Sequence, residues 1–215
     1  MENLESCLKT LGKEDWRNIT NSMIYIRCPQ KLEVLQKAGF EVVGRNDGFL
    51  ALCFVDHVEG LSFYVIASAH IGQDRVFVSK ENKSSQLIFR VGDLLDCSYL
   101  NQDFIEADFS QYYSYIDEII AQFEKACEEA VDIRKLTELD DFRDPQFPDN
   151  IEVVLIGKGL EQEKVWIRSE KFGPNCIYGT LLNEPRQDFG LHKDDLIDMM
   201  LIDRDGKSST IHAVK

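Results

Sequence analysis

Apolar and polar residues alternate in two separate stretches of the chain, and each stretch predicts β-structure. The first contains short apolar or alternating runs at residues 40–44, 49–56, 61–69, 75–79 and 86–90. Polar segments, two of which contain Asp-Gly or Glu-Gly, separate these runs. Such pairs are typical of hairpin turns because those turns need residues that tolerate a positive φ. We therefore expect an antiparallel meander of four or five strands with one buried face.

The second alternating stretch occupies the C-terminal part of the chain. Its apolar or alternating runs lie at residues 151–156, 164–170, 177–182, 196–202 and 210–214. Five short strands within about sixty-five residues close most easily into a small curled sheet or barrel. The pattern thus predicts a small five-stranded antiparallel β domain over residues 151–215.

Between the two alternating stretches the apolar residues recur every three or four positions, which predicts a helix. Asp108 followed by Gln111 has the spacing of a capping box, so we expect a long helix from there to about Leu136. Its predicted buried stripe contains Tyr112, Ile116, Ile119, Ile120, Phe123, Cys127 and Ala130. Its other side is acidic and contains Asp117, Glu118, Glu124, Glu128, Glu129 and Asp132. This face is either solvated or docked on a basic partner, and the two interpretations are compatible.

A domain boundary is indicated by residues 137–150, which contain two prolines and several acidic residues without periodicity. The predicted organisation is therefore a domain over residues 1–136, a linker over 137–150 and a domain over 151–215. The fold class expected from these elements is α+β. An antiparallel N-terminal sheet is packed by the long acidic helix, and the small antiparallel β domain follows.

The charge distribution limits the classes of partner. The formal net charge is −14, and residues 91–150 contain sixteen acidic side chains against four basic ones. A field of this sign repels nucleic-acid phosphates and anionic lipids, and it attracts basic proteins. We therefore expect a protein partner and neither nucleic acid nor a membrane.

Cysteine usage indicates the compartment. The six cysteines form no CxxC pair and no Cys-His cluster, so neither a disulfide framework nor a zinc site is expected. The N-terminus has no signal-peptide pattern, and no apolar run approaches the roughly 20 residues of a membrane span. These features predict a soluble protein of a reducing cytoplasm.

Catalytic and metal-binding motifs are nearly absent from the sequence. The four histidines lie apart at positions 57, 70, 192 and 212, without HExxH or another metal-ligand spacing. No GxSxG pattern marks a nucleophile. The sequence Gly157-Lys158-Gly159 lacks the helix that follows a phosphate-binding loop. We therefore predict that the protein is not an enzyme and that it needs neither a cofactor nor a metal.

Residues 164–195 contain the remaining candidates for partner binding. Trp166 lies beside Arg168 on the outward side of a predicted strand, and tryptophan is enriched at interface hot spots. The loop after the next strand offers Asn183, Glu184 and Asp188. Two structural alternatives stay open: Trp166 is an ordinary core residue, and Asn183 bonds its own backbone.

This part of the chain resembles a small bacterial domain family of unknown function. The resemblance is carried by residues 165–168 (VWIR), 179–185 (GTLLNEP) and 188–195 (DFGLHKDD). The chain has Asp194-Asp195 where the family usually has Gly-Asp. Related domains occur among the immunity proteins of polymorphic toxin systems. The resemblance covers residues 151–215 only.

The resemblance implies a non-enzymatic bacterial protein that occupies a toxin. Immunity proteins against nucleases tend to be acidic because they mimic the charge of the displaced substrate. The first hypothesis is therefore an immunity-type or antitoxin-type inhibitor with an acidic surface directed at a basic toxin domain. The alternative is a small-ligand-binding or regulatory module, for which an apolar cavity lined by Phe54, Phe63 and Tyr64 would be evidence.

Overall fold

The computed structural model describes residues 4–107, 109, 117–123, 127–204 and 207–214. The chain is mostly β and divides into two compact units, Met1–Phe123 and Glu124–Lys215. The predicted α+β class is therefore wrong, because the described helices are short and the strands supply most of the buried residues of each unit.

The first unit is built on an eight-stranded sheet. The strands are β1 Lys9–Thr10, β2 Ser22–Arg27, β3 Gly48–Asp56, β4 Gly60–Ile71, β5 Val76–Val78, β6 Ile88–Arg90, β7 Ser98–Asn101 and β8 Ile105–Glu106. Their order in the sheet is β1-β7-β2-β3-β4-β5-β8, and β6 also pairs with β4. All of these pairs are antiparallel except β5 with β8, so the sheet is mixed and not purely antiparallel as predicted. Helix α1, Leu32–Lys37, lies between β2 and β3.

This sheet is buried on both faces, whereas the sequence predicted one buried face. Ile24 and Ile26 of β2 point into one core, and the alternate residues Met23 and Tyr25 point into a second. Both sets are apolar or aromatic, so β2 and β3 are nearly continuous hydrophobic runs. Continuous runs of this kind are what a strand covered on both faces requires.

The predicted long acidic helix is wrong. Residues 117–123 are helical (α2) and Glu128–Arg134 form α3, but Cys127 has φ −142° and ψ 41°, which breaks the helix. Residues 108, 110–116 and 124–126 lie outside the described residues. The break has a packing cause: Ile119 of α2 is buried in the core of the first unit, whereas Ile133 of α3 is buried in that of the second.

The second unit is a closed five-stranded barrel. Its strands are β9 Asn150–Ile156, β10 Glu163–Gly173, β11 Cys176–Leu181, β12 Leu196–Arg204 and β13 Lys207–Ala213. Each lies within a few residues of a predicted strand. The prediction of a wholly antiparallel domain is wrong, because β13 pairs with β9 in parallel. In an up-and-down order with an odd number of strands, the first and last strands run the same way, so closure must pair them in parallel.

Every second residue of the barrel strands points inward, and these residues fill the interior of the barrel. Ile151, Val153 and Leu155 of β9 point inward, as do Val165 and Ile167 of β10. Helix α3 packs against β10, and a 3₁₀-helix at Thr137–Phe142 follows it. The residues predicted as a linker, 137–150, thus belong to the second unit, and Leu139 within them is buried in its core.

Candidate functional site

The loop after β11 continues the hydrogen-bond ladder of the barrel through a side chain. The N–H of Leu182 donates to the carbonyl of Trp166 at 2.8 Å. The N–H of Trp166 donates in turn to Oδ1 of Asn183 at 2.8 Å. Asn183 therefore supplies the acceptor that a further β11 residue would have given, and its position is fixed by β10.

The middle of the same loop is held by Glu163 at the start of β10. Its carboxylate accepts hydrogen bonds from the N–H groups of Arg186 and Gln187, at 2.7 and 3.2 Å. The side chain of Gln187 bonds both the N–H and the carbonyl of Glu161. The side chains of Glu163 and Gln187 therefore hold the loop against the start of β10.

Glu184 and His192 close the base of the loop at its exposed surface. The Glu184 carboxylate accepts from the N–H of Lys193 and contacts Nδ1 of His192, both at 2.8 Å. The N–H of His192 donates to Asp195 at 2.7 Å. The hydrogen bond to Glu184 raises the pKa of His192. The Lys193 N–H, followed by His192, lowers the pKa of the Glu184 carboxyl. Asp188 bonds the N–H of Gly190 locally at 3.1 Å.

Trp166 lies on the outer face of the barrel. Its neighbours Val165 and Ile167 are buried inside, whereas Trp166 is half-buried and pairs across the ladder with Glu152 of β9. An aromatic side chain is therefore partly exposed on the outside of the barrel at this position.

The acidic residues predicted to bind a partner do not share one helical face. Asp117 and Glu118 are exposed on α2 in the first unit, and Glu124 lies outside the described residues. Glu128, Glu129 and Asp132 are exposed on α3 in the second unit. Of the predicted stripe positions, Ile119, Cys127 and Ala130 are buried, whereas Ile120 and Phe123 are half-buried.

In the second unit the acidic surface extends beyond α3. Glu138 and Asp141 on the following 3₁₀-helix are also exposed, and sequence reasoning missed both because it assigned their segment to a linker. We call the set the acidic ridge, which consists of Glu128, Glu129, Asp132, Glu138 and Asp141. Lys135 lies beside it, with its Nζ 2.6 Å from Asp132.

Buried polar side chains connect the acidic ridge to the barrel. Arg134, from the same helix, points inward and binds the Asp149 carboxylate through two hydrogen bonds. Arg143 donates to the carbonyls of Pro148 and Ile133 at 2.5 and 2.7 Å. Glu129 accepts from the N–H of Phe172 in β10 at 3.0 Å. These bonds tie both helices of the ridge to the barrel, so the backbone that carries its carboxylates is anchored.

The three aromatic residues named for the alternative hypothesis lie in different surroundings. Phe54 packs against Phe123 with ring centroids 4.4 Å apart, and Phe63 is buried in a core. Tyr64 lines a cavity of about 190 Å³ with polar residues such as Asn82 and Gln122. A larger cavity of about 540 Å³ lies on the outer barrel surface, between Val154 and Ile202.

Across residues 4–107, 109, 117–123, 127–204 and 207–214, no group of three or more His, Cys, Asp or Glu side chains could hold a metal ion. Over the same residues, no helix has the length and apolar character needed to cross a bilayer.

Comparison of the chain with protein-family models, with curated proteins and with solved structures finds no significant match.

Proposed function

We propose that this chain is a non-enzymatic, cytoplasmic protein-binding protein of the immunity or antitoxin type, which inhibits a basic toxin domain through the acidic ridge. The observation that carries the proposal is the ridge itself. Five exposed carboxylates lie on two short helices that are tied to the barrel through Arg134, Arg143 and Glu129.

Preorganisation of the two helices favours binding. Binding a cationic surface with flexible acidic side chains on a mobile segment costs conformational entropy. Here the helices are already fixed, so less ordering is needed on association. Clustered charge of one sign also steers a basic partner during diffusion and raises the association rate constant.

The loop at residues 183–190 and Trp166 supply a second candidate contact. Asn183 and Glu184 are occupied in holding the loop, so their role is to present its surface. Trp166 has the half-exposed aromatic face that is typical of a hot-spot residue. The resemblance of this segment to domains related to immunity proteins supports an inhibitory role.

Co-expression tests the proposal. The chain is produced in cells together with the toxin domain encoded by an adjacent reading frame, and survival is measured. We expect survival with this chain, and loss of survival when the chain carries Trp166→Ala together with charge-neutral replacements of the acidic ridge. Death of cells that contain the intact chain at a concentration above that of the toxin would contradict the proposal. Inhibition that persists in the combined variant would show that other surfaces bind.

A further inference from the structure

Two cysteines that are far apart in sequence meet in the core of the first unit. The sulfur atoms of Cys28 and Cys97, 69 positions apart, are separated by 2.8 Å. Both residues are free cysteines and both are buried. The separation is shorter than a van der Waals contact between two sulfur atoms and exceeds a disulfide bond by less than about 1 Å.

The backbone explains this proximity. Strands β2 and β7 are antiparallel, with Ile26 opposite Tyr99 and Arg27 opposite Ser98. Continuing that register by one position places Cys28 opposite Cys97. Side chains alternate between faces along a strand, so this pair shares the face of Ile26 and Tyr99. All four residues indeed belong to the same hydrophobic core. Opposite residues of antiparallel strands have the Cα separation that a disulfide needs.

We infer that Cys28 and Cys97 form an oxidation site, a dithiol that a peroxide converts into an intramolecular disulfide without rearranging the sheet. In the first step the sulfur of one cysteine attacks hydrogen peroxide, giving a sulfenic acid and one water. In the second the other sulfur displaces the hydroxyl from that sulfenic acid, forming the S–S bond and a second water. Two thiols and one peroxide thus yield one disulfide and two waters, and a dithiol reductant reverses the change.

Access favours Cys97 as the sulfur that is oxidised first. Cys97 is 4% exposed, whereas Cys28 has no exposed surface. The side-chain amide of Gln30 donates to the Cys97 sulfur at 3.6 Å. Burial, followed by the neighbouring Cys97 sulfur, raises the pKa of Cys28 to about 12. Cys28 therefore reacts as the resolving thiol, next to the oxidised sulfur.

The remaining cysteines provide an internal comparison. Cys53 is equally buried in the same core, and no other cysteine sulfur contacts it among the described residues. Cys7 and Cys176 are only partly buried. If proximity determines the product, oxidation should link Cys28 to Cys97 and leave Cys53 as a thiol. If access alone determined it, Cys7 and Cys176 would be modified instead.

Peptide mapping of the purified full chain tests the inference. The protein is exposed to hydrogen peroxide, its free thiols are alkylated in denaturant without reductant, and the digest is analysed by mass spectrometry. We expect the peptides of Cys28 and Cys97 to be linked with the loss of two hydrogens, and a reductant to restore both thiols. The thermal midpoint of the first unit should rise by roughly 5–15 °C on oxidation, because the bond closes a long loop of the unfolded chain.

Cysteine-to-serine variants distinguish disulfide formation at this pair from oxidation of any other cysteine. Cys53→Ser should still form the link, whereas Cys28→Ser should lose both the link and the thermal shift, and Cys97 should then proceed to a sulfinic acid. The wild-type mapping decides the question even if Cys28→Ser fails to fold. The inference is overturned if the oxidised wild type retains Cys28 and Cys97 as thiols, or if either residue links to another cysteine.

Discussion

Arg134 and Asp149 form a bidentate ion pair inside the second unit, with Nε–Oδ1 and Nη2–Oδ2 distances of 2.6 and 2.7 Å. Their side chains are only 8% and 2% exposed. The pair joins α3 to the segment that enters β9, so it holds the acidic ridge on the barrel. Removing one partner leaves the other as a buried charge without compensation, which costs far more than losing an exposed pair.

We therefore expect Asp149→Asn to lower the free energy of unfolding of the second unit by about 3–5 kcal/mol. The measurement is urea unfolding followed by the fluorescence of Trp166, in a Trp16→Phe background so that one tryptophan reports. The exposed pair of Asp132 and Lys135 provides the control, and Asp132→Asn should cost no more than about 1 kcal/mol. Equal effects of the two substitutions would contradict the structural role of the buried pair.

Gly48 of β3 lies against the backbone of β2 with no room for a side chain. It pairs with Arg27, and a Cβ at position 48 would lie 2.1 Å from the carbonyl oxygen of Ile26 and 2.9 Å from the Cα of Arg27. Both neighbours are backbone atoms of a central strand, so neither can move away without disturbing the sheet. Gly48→Ala should therefore destabilise the first unit by about 1–3 kcal/mol or more.

Gly44 provides the matched control, because a Cβ there would meet nothing within 4 Å. Thermal unfolding of the two variants should show a lowered midpoint for Gly48→Ala and an unchanged or slightly raised one for Gly44→Ala. An unaltered midpoint in Gly48→Ala would show that the two strands are not packed as closely as the structure has them.

The Glu184–His192 pair should make the stability of the loop bell-shaped in pH. The pKa of His192 is raised above 6.5, so its contribution is complete below 6.5 and is lost as pH rises through the folded-state value. The pKa of Glu184 is lowered below 4.5, so its contribution is complete above 4.5 and is lost as pH falls through the folded-state value. The pair therefore stabilises the loop most between pH 4.5 and pH 6.5.

An NMR titration of the His192 ring checks this linkage. Its midpoint should lie above 6.5 in the wild type and move down towards 6.5 in Glu184→Gln, which keeps an acceptor but removes the charge. Glu59→Gln removes a charge in the first unit and should leave the midpoint unchanged. If Glu184→Gln and Glu59→Gln gave the same midpoint, the pair would not be the cause of the shift.

The barrel was the part of the fold most predictable from sequence, and the reason is its half-buried strands. Inward residues such as Ile151 and Val153 alternate with outward ones, and this alternation can be read from the sequence of one strand without knowledge of its neighbours. The parallel contact of β13 with β9 is not visible locally, because it follows from closure. Likewise β7 pairs with β2, more than seventy positions earlier. A local pattern contains no information about such a partner.

The prediction of one long helix was wrong because apolar residues recur with the helical period both before and after the break at Cys127. Ile119 and Ala130 both lie on the predicted buried stripe, yet they belong to different units. Packing into two separate cores overrides the continuous pattern. Glu138 and Asp141 were missed for a related reason. Their segment is rich in proline and aspartate, which is typical of a linker. It is ordered because Asp149 is buried beside Arg134, and this tertiary contact cannot be read from the local sequence.

The proposed role of the acidic ridge predicts a strong dependence on salt. Long-range attraction between exposed charges decreases as ionic strength rises, because the screening length falls from about 10 Å at 0.1 M to about 3 Å at 1 M salt. The test variant removes three ridge charges that do not hold the fold: Glu128→Gln, Asp132→Asn and Glu138→Gln. The control removes three exposed charges elsewhere: Glu41→Gln, Glu59→Gln and Glu161→Gln.

With the basic toxin domain as partner, the ridge variant should associate at least about 10-fold more slowly at low salt than the wild type, whereas the control variant should change far less. Both variants carry the same net charge, so a difference between them reports the position of the charges and not their number. Stopped-flow association rates over a series of salt concentrations measure the effect, and the dependence of the rate on salt should be weakest for the ridge variant. Equal rates for the two variants would mean that the ridge is not the contact surface.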